Sequence, residues 1–170
     1  MGGQPPPLQK MKQILTNIIE RLSEIPELKY VDENWGQAES GQPNPIKYPM
    51  ALIDVESTGW SDMGNHAQSG QASIVIAVSA LRLGNTSHGV PEGQRDHAFA
   101  FYDLMYAIHC KLHHWKPADN AGRMVRLSQQ RIRTRNGVKT AEIVFGVRVT
   151  EALPNQYQAV QVEPVIRMEQ

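Results

Sequence analysis

The sequence has few of the residue patterns that mark catalytic or disulfide-stabilised proteins. Cys110 is the single cysteine in 170 residues, which excludes an internal disulfide and suits a reducing compartment. The chain contains no P-loop, no G-x-S-x-G sequence, no dinucleotide-binding glycine pattern after a strand and no paired C-x-x-C motif. We therefore predict that the protein is not an enzyme and uses no cofactor.

Long apolar runs and a net charge are missing as well. No apolar run approaches the ~20 residues that span a bilayer, so we expect no membrane partner. Seventeen basic residues balance seventeen acidic ones, so the bulk charge attracts neither nucleic acid nor an anionic membrane. Hydrophobic residues still make up 41% of the chain, which is enough for one core in a chain of this length.

The neutral total hides two segments of opposite charge. Residues 31–66 carry six acids against one base, a net charge of minus five. Residues 120–150 carry seven bases against one acid, a net charge of plus six. Two complementary patches on one chain favour contacts between copies or with other proteins.

Apolar periodicity predicts two amphipathic helices, over about 8–25 and 94–115, which Pro26 and Pro117 end. The second helix is expected to bury one face, made of Ala98, Phe101, Tyr102, Met105, Ile108, His109 and Leu112. Because each helix has one apolar face, both should pack on the same face of a sheet.

Strands are predicted at 28–31, 46–56 and 72–83, and in a long hairpin at 122–135 and 138–151. Asn136-Gly137 favours a type I′ turn at the hairpin tip. Pro49 indicates an edge strand or a bulge. Residues 57–70 are predicted to be a long loop and a candidate contact element.

The fold class is therefore α+β, with a mixed, mostly antiparallel sheet, two helices on one face and a long C-terminal hairpin. We expect a flexible proline-rich N-terminus at 1–7, a single domain at 8–152 and an extended C-terminal arm at 153–170.

Two clusters suggest chemistry, and each has a simpler interpretation. His109 and His113 have the i, i+4 spacing of metal ligands, but His109 falls on the apolar face and His114 points away, so we predict no metal. Asp54 and Glu56 alternate onto one side of a strand, as paired carboxylates would, and are better explained as a solvated rim.

Arg131, Arg133 and Arg135 alternate along the first hairpin arm and share one face. Three interpretations stay open for them: a charged edge that prevents aggregation, a contact with an acidic protein surface, or a contact with phosphates. Aromatic residues that would stack on bases are missing from this segment, which disfavours nucleic acid.

Five segments carry a resemblance to a known family. They are residues 11–31 (MKQILTNIIERLSEIPELKYV), 48–57 (YPMALIDVES), 70–83 (GQASIVIAVSALRL), 95–115 (RDHAFAFYDLMYAIHCKLHHW) and 123–152 (RMVRLSQQRIRTRNGVKTAEIVFGVRVTEA). In the order of their helices and strands and in their residue pattern, they resemble the tail-terminator and tail-completion proteins of tailed bacteriophages and prophages.

The resemblance implies a structural virion protein, assembled in the cytoplasm of a bacterial host. Such proteins form a ring, commonly a hexamer, that caps the tail tube and meets the head connector, with DNA passing through it. The implied partners are further copies of the chain, the tail-tube protein and the head-connector protein. Alternatives are a neck or head-completion protein, a tail-tube subunit, or a small intracellular ligand-binding domain or enzyme without a recognisable motif.

A ring needs two different patches that complement each other, and the charged segments provide such a pair. We predict that the hairpin projects beyond its own sheet and contacts a neighbouring copy. The predicted interface residues are Arg126, Arg131, Arg133, Arg135, Asp54, Glu56 and Asp62.

Overall fold

The computed structural model of the chain describes residues 7–38, 46–82, 84–132 and 137–152. Within them, the elements are α1 (Pro7–Ser23), β1 (Tyr30–Glu33), β2 (Met50–Gly64), β3 (Ala67–Leu81), α2 (Glu92–Leu112), β4 (Val125–Ile132) and β5 (Val138–Ala152). The predictions for residues 1–6, Arg133, Arg135, the turn position Asn136 and the arm at 153–170 lie outside the described part of the chain.

The five strands form one sheet in the order β1-β2-β3-β5-β4. β1 runs parallel to β2, and the other neighbouring pairs are antiparallel. β3 and β5 lie next to each other in the middle, where their β-branched residues suit a pleated surface. The predicted α+β fold with a mixed, mostly antiparallel sheet is confirmed.

Both helices cover the same face of this sheet. Ile53, Ile76 and Ile143 are neighbours across β2, β3 and β5, and all three are fully buried. The helices add their own apolar stripes to this cluster: Ile14, Ile18 and Leu22 from α1, and Phe101, Leu104, Met105, Ile108 and Leu112 from α2. We call this side the helix face of the sheet and the opposite side the open face.

The predicted inner face of α2 is wrong at one position. Tyr102 is 48% exposed, and Leu104 is buried in its place. Successive helical residues differ by about 100°, so Tyr102 lies one step towards solvent from Phe101, while Leu104 stays close to Phe101 and Ile108.

Residues 57–70 are not a loop, contrary to the prediction. β2 continues to Gly64, and β3 begins at Ala67. Asn65 and His66 connect them with φ angles of 51° and 60°, as the two central residues of a type I′ turn require. The contact element expected in a loop is therefore part of a rigid hairpin.

Pro49 does not mark an edge strand. β2 lies between β1 and β3, and Pro49 directly precedes it, where the missing N–H removes no ladder bond. The carbonyl of Pro49 accepts a hydrogen bond from the N–H of Lys29 at 2.8 Å. The register shift of β2 comes later, between Val55 and Ser57.

The described part of the β4–β5 hairpin does not project from the sheet as predicted. β5 pairs with β3 along its whole length, from Val138 opposite Leu81 to Ala152 opposite Ala67. The described length of β5 needs no projection, because β3 is as long as β5, with 15 residues in each.

Candidate functional site

The basic residues of β4 lie on the helix face at one edge of the sheet. Arg126 pairs with Phe145 and Arg131 with Ala141, and both of these partners belong to the core. Both arginines are exposed. The backbone N–H of Arg126 donates to Nδ1 of His113 at 3.2 Å, which ties the edge strand to the end of α2.

The acidic residues of β2 do not share a face. Asp54 pairs with Val75 on the open face, and Glu56 lies at the register shift that interrupts the alternation of the strand. Asp62 pairs with Gln68 near the hairpin tip. The structure therefore does not pair Asp54 and Glu56 as two carboxylates of one catalytic site.

Among the described residues, the basic and acidic sets do not meet within one chain. β3 and β5 lie between β2, which carries Asp54, Glu56 and Asp62, and β4, which carries Arg126 and Arg131. A direct contact between the two sets therefore requires a second molecule.

The end of the β2–β3 hairpin lies at the margin of the hydrophobic core. We call the β-arm residues 58–70 of β2 and β3, together with residues 149–152 of β5 that pair with them. Among the described residues, none from 58 to 71 belongs to the hydrophobic core. From Thr58 to Gly64 the arm extends by about 20 Å at the usual strand rise.

Trp60 is the largest side chain of the β-arm and is 40% exposed. It pairs with Gly70, and a Cβ built on that glycine would lie 2.8 Å from two ring carbons of Trp60. Glycine therefore leaves the space in which the indole lies flat against the strand. Sequence analysis missed Trp60 because this segment was assigned to a loop.

α2 carries a row of exposed aromatic side chains. Phe99, Tyr102 and Tyr106 are 45%, 48% and 69% exposed, and the rings of Phe99 and Tyr102 are 6.1 Å apart. Cys110 continues the row one turn later and is exposed. A hydrogen bond with Cys110 raises the pKa of Tyr106. The i, i+3, i+7 spacing of these aromatics along one side of the helix was the sequence signal for this row.

The histidines at the end of α2 are close together, but no metal site results among the described residues. The rings of His109 and His113 are 4.7 Å apart, and those of His113 and His114 are 4.4 Å apart. Nδ1 of His113 already accepts the N–H of Arg126. Within the described chain, no group of three ligand-type side chains could hold a metal ion. The absence of a bound metal stays a prediction.

A small apolar crevice lies beside the first turns of α2. It has a volume of about 150 Å³, and Leu81, Phe101 and Leu104 line it together with Lys139. Lys139 donates a hydrogen bond to the carbonyl of Ala98, and burial lowers its pKa, helped by the charges of Arg131 and Arg82. Sites for small molecules usually measure about 300–1,000 Å³. The crevice therefore offers little room for a substrate.

In the part of the chain that the structure describes, neither helix has the length and apolar character needed to cross a membrane.

No protein-family model matches this sequence, and no curated protein matches it. Among solved structures, the fold is similar to that of a chain in the virion of a native gene transfer agent (GTA) particle. The two chains share 13% sequence identity, with a TM-score of 0.53. The similarity covers 86% of this chain and 96% of that chain. At this identity, the comparison establishes a shared fold.

Proposed function

We propose that the protein is a structural component of a phage-like particle and acts as its tail terminator, a ring that caps the tail tube and joins it to the head connector. The observation that carries the proposal is the fold shared with a chain of a gene transfer agent virion. The similarity extends over 96% of that chain. The sequence resemblance to tail terminators, described above, supports the same assignment.

The arrangement of charge supports assembly into a ring. A closed ring needs a heterologous interface, in which one patch of a subunit contacts a different patch of the next. Arg126 and Arg131 lie on the edge strand β4, whereas Asp54, Glu56 and Asp62 lie on β2, on the far side of β3 and β5. Since these sets cannot meet in one chain, head-to-tail contact between copies brings them together.

Oligomeric mass and shape test the ring. Native mass spectrometry of the purified 19.0 kDa chain should show one closed multiple of the monomer, and negative-stain images should show rings with a central opening. A protein that remains monomeric at every concentration up to about 100 µM would contradict the proposal.

Loss of the gene from its host distinguishes a terminator from the neck, head-completion and tail-tube alternatives. A terminator stops polymerisation of the tube, so its loss should give overlong tails without heads. Loss of a tube subunit should give no tails, and loss of a head-completion protein should give normal free tails. Either of the last two results would assign the protein to the corresponding alternative.

The alternative of another class is a small ligand-binding domain or enzyme, and the observation in its favour is the crevice beside Lys139. This crevice measures about 150 Å³, and the larger depressions of the described surface, about 410 and 320 Å³, are open grooves, so this alternative is the weaker candidate.

A further inference from the structure

We propose that the β-arm of one copy docks on the surface between α2 and β4 of the next copy, with Trp60 as its aromatic anchor. The proposal rests on the self-assembly proposed above and names the two surfaces that would form the interface. We call the receiving region the α2–β4 surface, made of Phe99, Tyr102 and Tyr106 of α2 and Arg126 and Arg131 of β4.

The helix face of the β-arm combines one large aromatic ring with negative charge. Asp62 pairs with Gln68, which pairs in turn with Glu151, so both acids lie on the same face as Trp60. Thr58, Gly70 and Val149 complete the described residues of this face, and none of them is basic. Because Trp60 already rests against Gly70, little side-chain entropy remains to be lost when it docks.

The α2–β4 surface has the complementary composition. Its three aromatic rings are 45% to 69% exposed on α2, and its two arginines are exposed on β4, the strand that contacts this helix. Two contacts hold strand and helix together: the bond from Arg126 to His113, and the Nε2 of Gln129 at 3.8 Å from Sδ of Met105. The aromatic and basic residues therefore form one continuous surface.

The acidic residue of α2 nearest to these rings lies away from β4. Met105 and His113 mark the side of α2 that faces β4. Asp103 follows Tyr102 by one residue, which places it about 100° further round the helix, on the side away from β4. Asp103 therefore does not repel Asp62 and Glu151 of the neighbouring copy when they approach Arg126 and Arg131.

A second copy is the occupant that these observations favour. Tryptophan, tyrosine and arginine are the residues that most often dominate the energy of protein interfaces. Here one surface supplies the tryptophan with acids, and the other supplies tyrosines with arginines. The two surfaces are different patches of the same chain, so the contact is head-to-tail and can repeat around a ring.

A pair of introduced cysteines makes the contact measurable. Cys110 lies seven residues after Asp103, on the side of α2 away from β4, so Cys110→Ser first removes this thiol. In that background Gln68→Cys places a thiol on the helix face of the β-arm, and Gln129→Cys places another on β4 beside Met105. A short bis-maleimide should join the two thiols of neighbouring copies and give a ladder of covalent oligomers. The matched control exchanges Gln68→Cys for Ser61→Cys on the open face of the same arm, which should give only background.

Trp60→Ala tests the anchor independently of the cross-link. We expect the dissociation constant of assembly, measured by analytical ultracentrifugation, to rise by about tenfold or more. Trp35→Ala removes another exposed tryptophan, 56% accessible, and should leave assembly unchanged. Circular dichroism checks that both variants are folded.

The outcomes separate this inference from the proposed function. If the parent protein assembles, but Gln68→Cys cross-links no better than Ser61→Cys and Trp60→Ala assembles normally, the docking contact is wrong and the ring stands. If the parent protein is a monomer, both proposals fall. If Trp60→Ala affects only the joining of complete rings to tails, the β-arm binds another particle component and the proposed contact is overturned.

Discussion

His109 is half-buried on α2, and its Nδ1 is buried without a hydrogen-bond partner among the described residues. Burial lowers the pKa of this histidine, and the charges of Arg126 and His113 lower it further. The folded state therefore favours the neutral imidazole. In the unfolded chain the pKa should return to about 6.5, so below that pH the unfolded state binds more protons than the folded state.

We predict that the protein loses stability as pH falls below about 6.5 and that His109→Gln makes this loss smaller. The measurement is the melting temperature at intervals between about pH 8 and pH 5. His88→Gln, a change at an exposed histidine in the loop before α2, is the control and should keep the parent's pH profile. Parallel profiles for the parent and His109→Gln would contradict the role of His109.

The contact between α1 and the segment after α2 depends on a few polar groups. Nδ2 of Asn17 donates to the carbonyl of Pro117 at 2.6 Å, and this bond is partly buried. Arg21 lies 5.7 Å from the centre of the Trp115 ring and donates to the carbonyl of Lys111. Nζ of Lys111 donates a hydrogen bond to Oε2 of Glu24 at 2.7 Å, and that hydrogen bond lowers the pKa of Glu24. These contacts join the two helices outside the apolar cluster.

We predict that Asn17→Ala lowers the free energy of unfolding by about 1–2 kcal/mol, because the Pro117 carbonyl loses its donor in a partly buried position. Urea denaturation followed by circular dichroism measures the change. Gln13→Ala, an exposed substitution one turn earlier in α1, should change the free energy by less than about 0.5 kcal/mol. Equal effects for the two variants would mean that the bond to Pro117 contributes nothing.

The whole molecule has a net charge of zero, but its acidic and basic residues lie on different strands of the sheet. The basic edge strand β4 and the acidic strand β2 are separated by β3 and β5. Exposed ion pairs contribute about 0.2–1 kcal/mol each, so charge orients neighbouring copies while apolar contacts supply most of the affinity. Both effects should be visible in how assembly depends on salt.

We predict that Arg126→Glu combined with Arg131→Glu weakens assembly severalfold, and more strongly at about 50 mM than at about 500 mM salt, because salt screens exposed charges. Sedimentation at both ionic strengths measures this. Lys12→Glu, an exposed reversal on α1, controls for the change in net charge. If the double variant assembles like the parent at both salt concentrations, the arginines are merely solvated.

The sequence predictions were accurate for the helices and strands that bury one face, and they were wrong for residues 57–70. Both helices and β5 were correctly located, and so was β3 apart from its first five residues, because burial on one side imposes a regular apolar spacing. Residues 57–70 have no such spacing, since they lie beyond the core and pair with strands rather than with helices. The turn at Asn65-His66 also lacks the Asn-Gly pair that indicated the other hairpin.

By itself the sequence determined the fold class, the two amphipathic helices and the charge of each segment, because these properties depend on composition and on local period. The tertiary structure alone decided that β2 and β3 pair through residues 57–70, that Trp60 lies over Gly70, and that the strand with the arginines contacts the helix with the tyrosines. These neighbours are far apart in the chain. Strand order and register bring them together, and both depend on contacts that no local pattern contains.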